Sequence, residues 1–380
     1  MENSRPDAQH APYGHPPAGW TAPPPPGAGA YGHAPGAPPG HAPAAPSPAH
    51  PSHLPAAARR APRAHKPLDL PLIGATYPAL LRTPRHRFWH PVLSFGIVVL
   101  GVIISLFVLM IPIMIQLFSM LGDDVVLSMD PADQALVEDA FFSAPIMAWN
   151  NVLLASLIPI SILAIAFGHP VAARFIHSVT GRVRWRWLLR AHLVLLPLFL
   201  VYVLGTWWLD GAVMYERSED WVWHVVMAFT LTPFQAAGEE YLFRGFLVLA
   251  ICSLFPRPII GLPIAAAVSA LTFSLAHGSL DVWILFDLSV FALATVVLVW
   301  RTGGLEAAVA LHVVNNVVVI AFGAITGVLN ESFIDAGTSQ EALPALLSSS
   351  IVVISTALLL WQARRAGVER TVPESVGARP

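Results

Sequence analysis

Apolar residues are concentrated in eight stretches of the chain, and polar connections separate each stretch from the next. The stretches cover residues 94–120, 146–167, 188–209, 222–254, 262–277, 282–300, 304–325 and 346–363. Each comes close to the ~20 residues that an α-helix needs to cross the hydrocarbon core of a bilayer. The pattern therefore predicts an all-α protein, a multi-spanning membrane bundle of about eight transmembrane helices.

The fourth stretch is longer than a bilayer requires, since about 33 helical residues would extend ~50 Å. Pro233 and Gly238 interrupt it. Both residue types are common at sharp changes of helix direction. We therefore expect a kink there.

The connections alternate in charge. Connection 168–187 carries four arginines and no acid, whereas connection 122–145 carries six acids and no base. Acids also dominate 210–220 and 326–345. Because Lys and Arg favour the cytoplasmic side of a membrane, this alternation predicts eight crossings with both termini cytoplasmic. We expect the location to be a bacterial plasma membrane.

Composition supports the membrane assignment and excludes other classes. Hydrophobic residues make up 55% of the chain and charged residues only 12%, against about 25% charged in a soluble domain. The net charge of −2 argues against a nucleic-acid partner. Cys252 is the single cysteine, which excludes an internal disulfide and a Cys-rich metal site.

Composition and hydropathy also divide the chain into segments. Residues 1–67 hold 18 of the 35 prolines, which predicts a disordered cytoplasmic tail rich in Pro, Ala, Gly and His. The other expected segments are an interfacial run-in at 68–90, the first three transmembrane helices at 91–221, a core of helices four to seven at 222–330, the last transmembrane helix at 331–366, and a C-terminal tail at 367–380.

Three charges stand inside the fourth apolar stretch, where residues 238–245 read Gly-Glu-Glu-Tyr-Leu-Phe-Arg-Gly. A charge at the centre of a transmembrane helix costs about 2.5–3.5 kcal/mol, so such residues are retained mainly for function. Glu240 and Arg244 are four apart and can pair along one helical face. Glu239 is then a carboxylate without an obvious local partner.

Two further apolar stretches carry polar side chains at helical spacing. Phe273 and His277 are four apart in one, and His312 and Asn316 are four apart in the other, with Asn315 beside them. Converging in a bundle, these groups could activate a water and stabilise an oxyanion, or hold a metal ion. The structural alternatives are an ion pair for Glu240 and Arg244, interhelical hydrogen bonds for the histidines and Asn315, and simple packing for Phe273.

The three motifs together resemble the signature of the CPBP family, the CAAX-protease and bacteriocin-processing family of intramembrane endopeptidases. That signature is Glu-Glu-x-x-x-Arg, then Phe-x-x-x-His, then His-x-x-x-Asn or Asp, on successive helices. Here the motifs are Glu239-Glu240-Tyr-Leu-Phe-Arg244, Phe273-Ser-Leu-Ala-His277 and His312-Val-Val-Asn-Asn316. The resemblance covers about residues 225–325 and extends neither to the tail nor to the first three spans.

The resemblance implies hydrolysis of peptide bonds within the membrane, in a peptide or protein substrate that could be CAAX-like. Glu239 would activate the attacking water with help from His277, His312 and Asn316 would bind the oxyanion, and Glu240 and Arg244 would shape the site. No firm cofactor is implied. A zinc ion held by Glu239, His277 and His312 and a metal-free glutamate mechanism both remain open, with the metal-free mechanism preferred because a His-x-x-x-His zinc motif is missing.

Two other functions fit parts of the sequence. A proton-coupled transporter would also use Glu, His and Arg within the membrane, but the chain shows no internal repeat. A bacteriocin-immunity or scaffold protein could retain the fold without turnover, although every motif position is occupied. The sequence thus favours a peptidase and does not identify its substrate.

Overall fold

The computed structural model describes residues 68–334 and 337–377, and this part of the chain contains helices and no β-strands. The all-helical prediction is therefore confirmed for these residues. The predicted disordered tail at residues 1–67 lies outside the described residues. So do the last three residues of the predicted C-terminal tail.

Thirteen α-helices follow one another in the described chain. The first six are α1 (Trp89–Leu121), α2 (Asp123–Val126), α3 (Pro131–Ala140), α4 (Ala144–Ala155), α5 (Leu157–Gly168) and α6 (Trp185–Leu209). The others are α7 (Trp221–Thr230), α8 (Thr232–Glu240), α9 (Val248–Ser253), α10 (Pro258–Ala276), α11 (Val282–Thr302), α12 (Glu306–Thr326) and α13 (Ala342–Arg365). A π-helix, Tyr241–Leu247, joins α8 to α9.

Within residues 68–334 and 337–377, seven helical segments are long and apolar enough to cross a membrane, one fewer than the eight predicted for the chain. α4 and α5 together form one of the seven, Ala144–Gly168. The difference lies in the fourth apolar stretch, which is divided into α7, α8, the π-helix and α9. None of these four pieces alone is long enough to cross a membrane. The apolar stretch is therefore continuous in the sequence but divided into shorter helices in the structure.

Pro233 and Gly238, the two residues expected to interrupt this stretch, have different roles in the structure. Near the predicted kink, α7 ends at Thr230 and α8 begins at Thr232, so Pro233 falls in the first turn of α8. A proline there is tolerated, since the backbone N–H that it lacks would have no partner in the helix. Gly238 plays a different role from the one predicted: a Cβ at this position would lie 2.1 Å from the carbonyl oxygen of Leu154. The absence of a side chain at Gly238 therefore permits close packing of α8 on α4.

α12 is the central helix of the bundle. It packs against α6, α7, α8 and α11 and contacts α13, and 72% of its apolar window is buried inside the protein. Alanines at 307, 308 and 310 are fully buried, which lets neighbouring helices approach closely, as small residues do in membrane bundles. A helix placed in this way brings its polar residues to the middle of the protein.

The Arg-rich segments lie together at one end of the bundle. Backbone bridges join Asp69 to Val171, Thr76 to Thr371 and Ser178 to Gly304. Arg82 Nη1 also donates a hydrogen bond of 2.8 Å to the carbonyl of Ser253. The run-in, connection 168–187, the ends of α9 and α11, and the segment after α13 therefore share this end.

The acidic connections lie together at the opposite end. Asp220 Oδ2 accepts a 2.7 Å hydrogen bond from the backbone of Ala144, and the carbonyl of Thr326 accepts one of 2.8 Å from Tyr215. The segment from Trp221 to Ser253 thus begins at the acidic end and finishes at the Arg-rich end. It traverses the bundle although no single helix in it does.

Candidate active site

The two glutamates of the first motif are the last residues of α8, directly before the π-helix. Glu240 is fully buried, and 7% of Glu239 is exposed. A π-helix inserts extra residues per turn and often marks functional sites in membrane and soluble proteins. Here it follows the carboxylates and contains Arg244, so the helical irregularity and the charges coincide.

Glu240 is bound by two groups through the same carboxylate oxygen. Its Oε1 lies 3.1 Å from Arg244 Nη1 and accepts a 2.9 Å hydrogen bond from His312 Nδ1. The contact with Arg244 is an ion pair whose angle is too poor for a directed hydrogen bond. The predicted pairing of Glu240 with Arg244 is confirmed, and it extends to His312 on another helix.

Arg244 is fully buried, and aromatic rings surround it. Its guanidinium carbon lies 4.1 Å from the ring centroid of Phe273 and less than 6 Å from those of Phe243 and Phe291. Cation–π contacts strengthen when the cation is withdrawn from water. Phe273 of the second motif therefore makes a cation–π contact with Arg244 of the first motif, in addition to apolar packing.

Glu239 has a partner that the sequence reasoning missed. Gln235, one turn earlier on α8, donates a hydrogen bond from Nε2 to Glu239 Oε1. Gln235 Oε1 in turn accepts a 3.2 Å bond from Asn316 Nδ2, and Asn316 Oδ1 accepts one of 3.0 Å from Asn315. The expectation that Glu239 lacks a local partner was wrong, although the i, i+4 spacing of Gln235 and Glu239 was the signal that could have shown it.

Each of the two histidines makes its hydrogen bond to the described residues through Nδ1. His277, at the C-terminal end of α10, bonds through Nδ1 to the carbonyl of Phe273 at 2.8 Å. Since a carbonyl only accepts, this nitrogen carries the hydrogen. The same argument applies to Nδ1 of His312 against the carboxylate of Glu240. Nε2 is therefore the nitrogen of each ring that remains for a water or a substrate.

A cavity of about 580 Å³ brings these side chains together. Its lining includes Glu239, Gln235, His277, His312, Asn315 and Asn316, together with apolar side chains of α1, α4, α10, α11 and α13. Glu240 and Arg244 are absent from the lining. The cavity is thus mainly apolar, with carboxylate, imidazole and amide groups among its lining side chains, as is typical of sites that bind small ligands.

A three-ligand zinc site does not form in this arrangement. In the described part of the chain, no three His, Cys, Asp or Glu side chains are grouped closely enough to hold a metal ion. The suggested ligands Glu239, His277 and His312 are therefore not grouped as a three-ligand metal site among the described residues.

The π-helix is anchored at the Arg-rich end by a second buried contact. Tyr241 Oη lies 2.6 Å from Nδ1 of His177, in the connection between α5 and α6. Burial lowers the pKa of His177 below its ordinary value, although the charge of Glu306 opposes the shift. The neutral His177 bonds to Tyr241, the residue that follows Glu240. The connection between α5 and α6 therefore helps to hold Glu240 in position.

Sequence comparison agrees with the motifs. Residues 218–318 match the family model described as Type II CAAX prenyl endopeptidase Rce1-like. No curated protein and no solved structure matches the chain. The matched segment runs from the connection before α7 to Asn316 and just beyond, and it contains all three motifs.

Together with the apolar helices, the match identifies an integral multi-pass membrane protein and supports an intramembrane endopeptidase in general terms. Over residues 218–318, the chain is similar to the type II CAAX prenyl endopeptidases, as expected for a CPBP family intramembrane protease.

Proposed function

We propose that this protein is an intramembrane endopeptidase in which Glu239 activates a water molecule for attack on a peptide bond. The observation that carries the proposal is the convergence of Glu239, His277, His312 and Asn316 on one cavity. These side chains come from α8, α10 and α12. A carboxylate, two imidazoles and an amide supply the base and the donors that hydrolysis of an amide requires.

The division of roles between the glutamates follows from their environments. Glu240 is occupied by Arg244 and His312, whereas Glu239 lines the cavity and is oriented by Gln235. Glu239 is therefore the candidate general base. Glu240 is the candidate positioning residue, because it fixes the ring of His312 with Nε2 left for the substrate.

The proposed reaction uses the groups of the chain and no covalent enzyme intermediate. Glu239 takes a proton from water as the water oxygen bonds to the scissile carbonyl carbon, assisted by Nε2 of His277. The oxyanion that forms accepts hydrogen bonds from the amide Nδ2 of Asn316 and from Nε2 of a doubly protonated His312, whose Nδ1 hydrogen stays bonded to Glu240. The C–N bond then breaks, and the proton on Glu239 passes to the leaving nitrogen, which leaves an acid and an amine as products.

A test compares Glu239→Gln with the wild-type protein in liposomes, using quenched fluorescent peptides that partition into the membrane. General acid–base catalysis contributes about 10²–10⁴-fold, so we expect kcat to fall by at least about 100-fold. Glu219→Gln is the matched control, because Glu219 is exposed and lies outside the cavity. Cleavage that survives in Glu239→Gln would contradict the proposal.

A further inference from the structure

A second carboxylate lines the same cavity as Glu239, and the proposed reaction does not use it. Asp287 lies on α11, five residues after the first residue of that helix, Val282. At 1.5 Å per residue it is about 7.5 Å along the helix. Its Oδ1 accepts a 2.7 Å hydrogen bond from Ser349 of α13.

Asp287 has no basic partner among the described residues. The ion pairs in that part of the chain involve other acids, and the carboxylates of Glu240 and Glu306 are each paired with an arginine. The hydrogen bond from Ser349 does not supply a counterion for the charge of Asp287. A neutral asparagine at this position would accept the same hydrogen bond equally well. An ionisable side chain within a membrane usually pairs with a partner or lines a functional path.

Asp287 is also close to the groups that are proposed to react. Phe291 is one helical turn further along α11, and its ring centroid lies 5.0 Å from that of His312. Residues four apart on a helix are neighbours on one face. A peptide with its scissile carbonyl at His312 would thus place a nearby side chain beside Asp287.

From this juxtaposition we propose that Asp287 forms a subsite for a cationic side chain, lysine or arginine, of the peptide substrate. The inference rests on the proposed function, and it defines the substrate class further. Ser349 and Ser348 both bond to the carboxylate but bring no charge, so an ammonium or guanidinium group of the substrate would be its counterion. The incoming cation then supplies the countercharge that the described residues do not provide.

The test uses pairs of apolar fluorescent peptides that differ only at one position, where one peptide has lysine and the other has norleucine. The position is moved along the peptide, and cleavage by the full chain is measured in liposomes. We expect the lysine peptide to have a kcat/KM about tenfold higher than the norleucine peptide at one position. In Asp287→Asn, which keeps the acceptor for Ser349, we expect this ratio to fall to about one.

Asp281→Asn is the matched control. Asp281 caps the N-terminus of the same helix, lies outside the cavity lining, and can be replaced by asparagine without loss of the cap. We expect the ratio to remain about ten in this variant. A wild-type protein without lysine preference at any position, or a preference that persists in Asp287→Asn, would overturn the inference.

Binding measurements separate this inference from the proposed reaction. Fluorescence anisotropy with the same peptides, on the Glu239→Gln protein, should show about tenfold tighter binding of the lysine peptide, and this difference should vanish in Glu239→Gln with Asp287→Asn. If peptides are bound with this preference but never cleaved by the wild-type protein, the subsite stands and the peptidase proposal fails. Equal binding of both peptides overturns the subsite, whatever the cleavage result.

Discussion

Glu239 and Glu240 are neighbours in sequence but occupy different environments. Arg244 and His312 bind Glu240 on the packed side of α8, whereas Gln235 binds Glu239 on the side of the cavity. Breaking a buried ion pair by removing one partner costs about 3–5 kcal/mol, because the other charge is left buried. We therefore interpret Glu240 as the structural acid and Glu239 as the reactive one.

Gln235 gives the prediction at the residue scale. Replacing it in Gln235→Leu removes the donor to Glu239 and the acceptor for Asn316. A hydrogen bond to a charged group contributes about 1.5–3 kcal/mol, so we expect kcat to fall roughly 10- to 100-fold. The loss should appear in kcat more than in KM, because the substitution disturbs the orientation of the base.

Steady-state cleavage of the membrane-partitioned peptides measures this split. Gln134→Leu serves as the control, since Gln134 is exposed on α3 and does not line the cavity. A Gln235→Leu protein with wild-type kcat would show that the bond to Glu239 has no role in the reaction.

α8 is the element on which the site depends. It has nine residues, and it carries Gln235, Gly238 and both glutamates. Its position is determined by packing on α4 and α12, since a helix this short has little stability of its own. A small displacement of α8 would therefore move the base relative to the histidines on α10 and α12.

Gly238→Ala tests this dependence at the scale of the element. The added Cβ would lie 2.1 Å from the carbonyl oxygen of Leu154, so α8 or α4 must shift. Overpacking of this kind costs about 1–3 kcal/mol. We expect lower thermal stability in detergent and a marked loss of cleavage, because Glu239 moves with the helix.

Gly205→Ala is the matched control within another membrane helix. A Cβ at Gly205 meets no atom within 4 Å, and alanine favours the helix by about 1 kcal/mol relative to glycine. Its stability and cleavage should equal or exceed those of the wild-type protein. Equal behaviour of the two variants would rule out a tight contact at Gly238.

At the scale of the whole molecule, the grouping of the connections leads to a prediction about topology. Arg-rich segments share one end of the bundle and acidic connections share the other. The positive-inside rule then predicts that the Arg-rich end is cytoplasmic. Each described end of the chain, near Asp69 and near Val372, belongs to this end.

Single cysteines introduced into a Cys252→Ala background test the orientation. Ala132→Cys on α3 should react with a membrane-impermeant maleimide in intact cells, whereas Arg370→Cys should react only after permeabilisation. Both positions are exposed in the structure, and Cys252 itself is buried. Labelling of both from outside would contradict the placement of the two positions on opposite sides of the membrane, and the opposite pattern would invert the orientation.

The sequence by itself determined the membrane class, the approximate limits of the helices and the three motifs. Hydropathy is a local property, so seven of the eight apolar stretches correspond to helical segments that can span a bilayer. The pair Glu240 and Arg244 was predictable for the same reason, because residues four apart are neighbours on any helix. Gln235 and Glu239 are also four apart, so their contact was predictable from the sequence in the same way.

Only the tertiary structure decided how the motifs are used. The contact of Glu240 with His312 joins residues 72 apart in the chain, and no local pattern encodes such a distance. The close approach of α8 to α4, the π-helix after Glu240 and the placement of Asp287 in the cavity likewise depend on packing between helices. Local periodicity determines which face of its own helix a residue occupies. Which other helix packs against that face is determined only when the whole bundle is assembled.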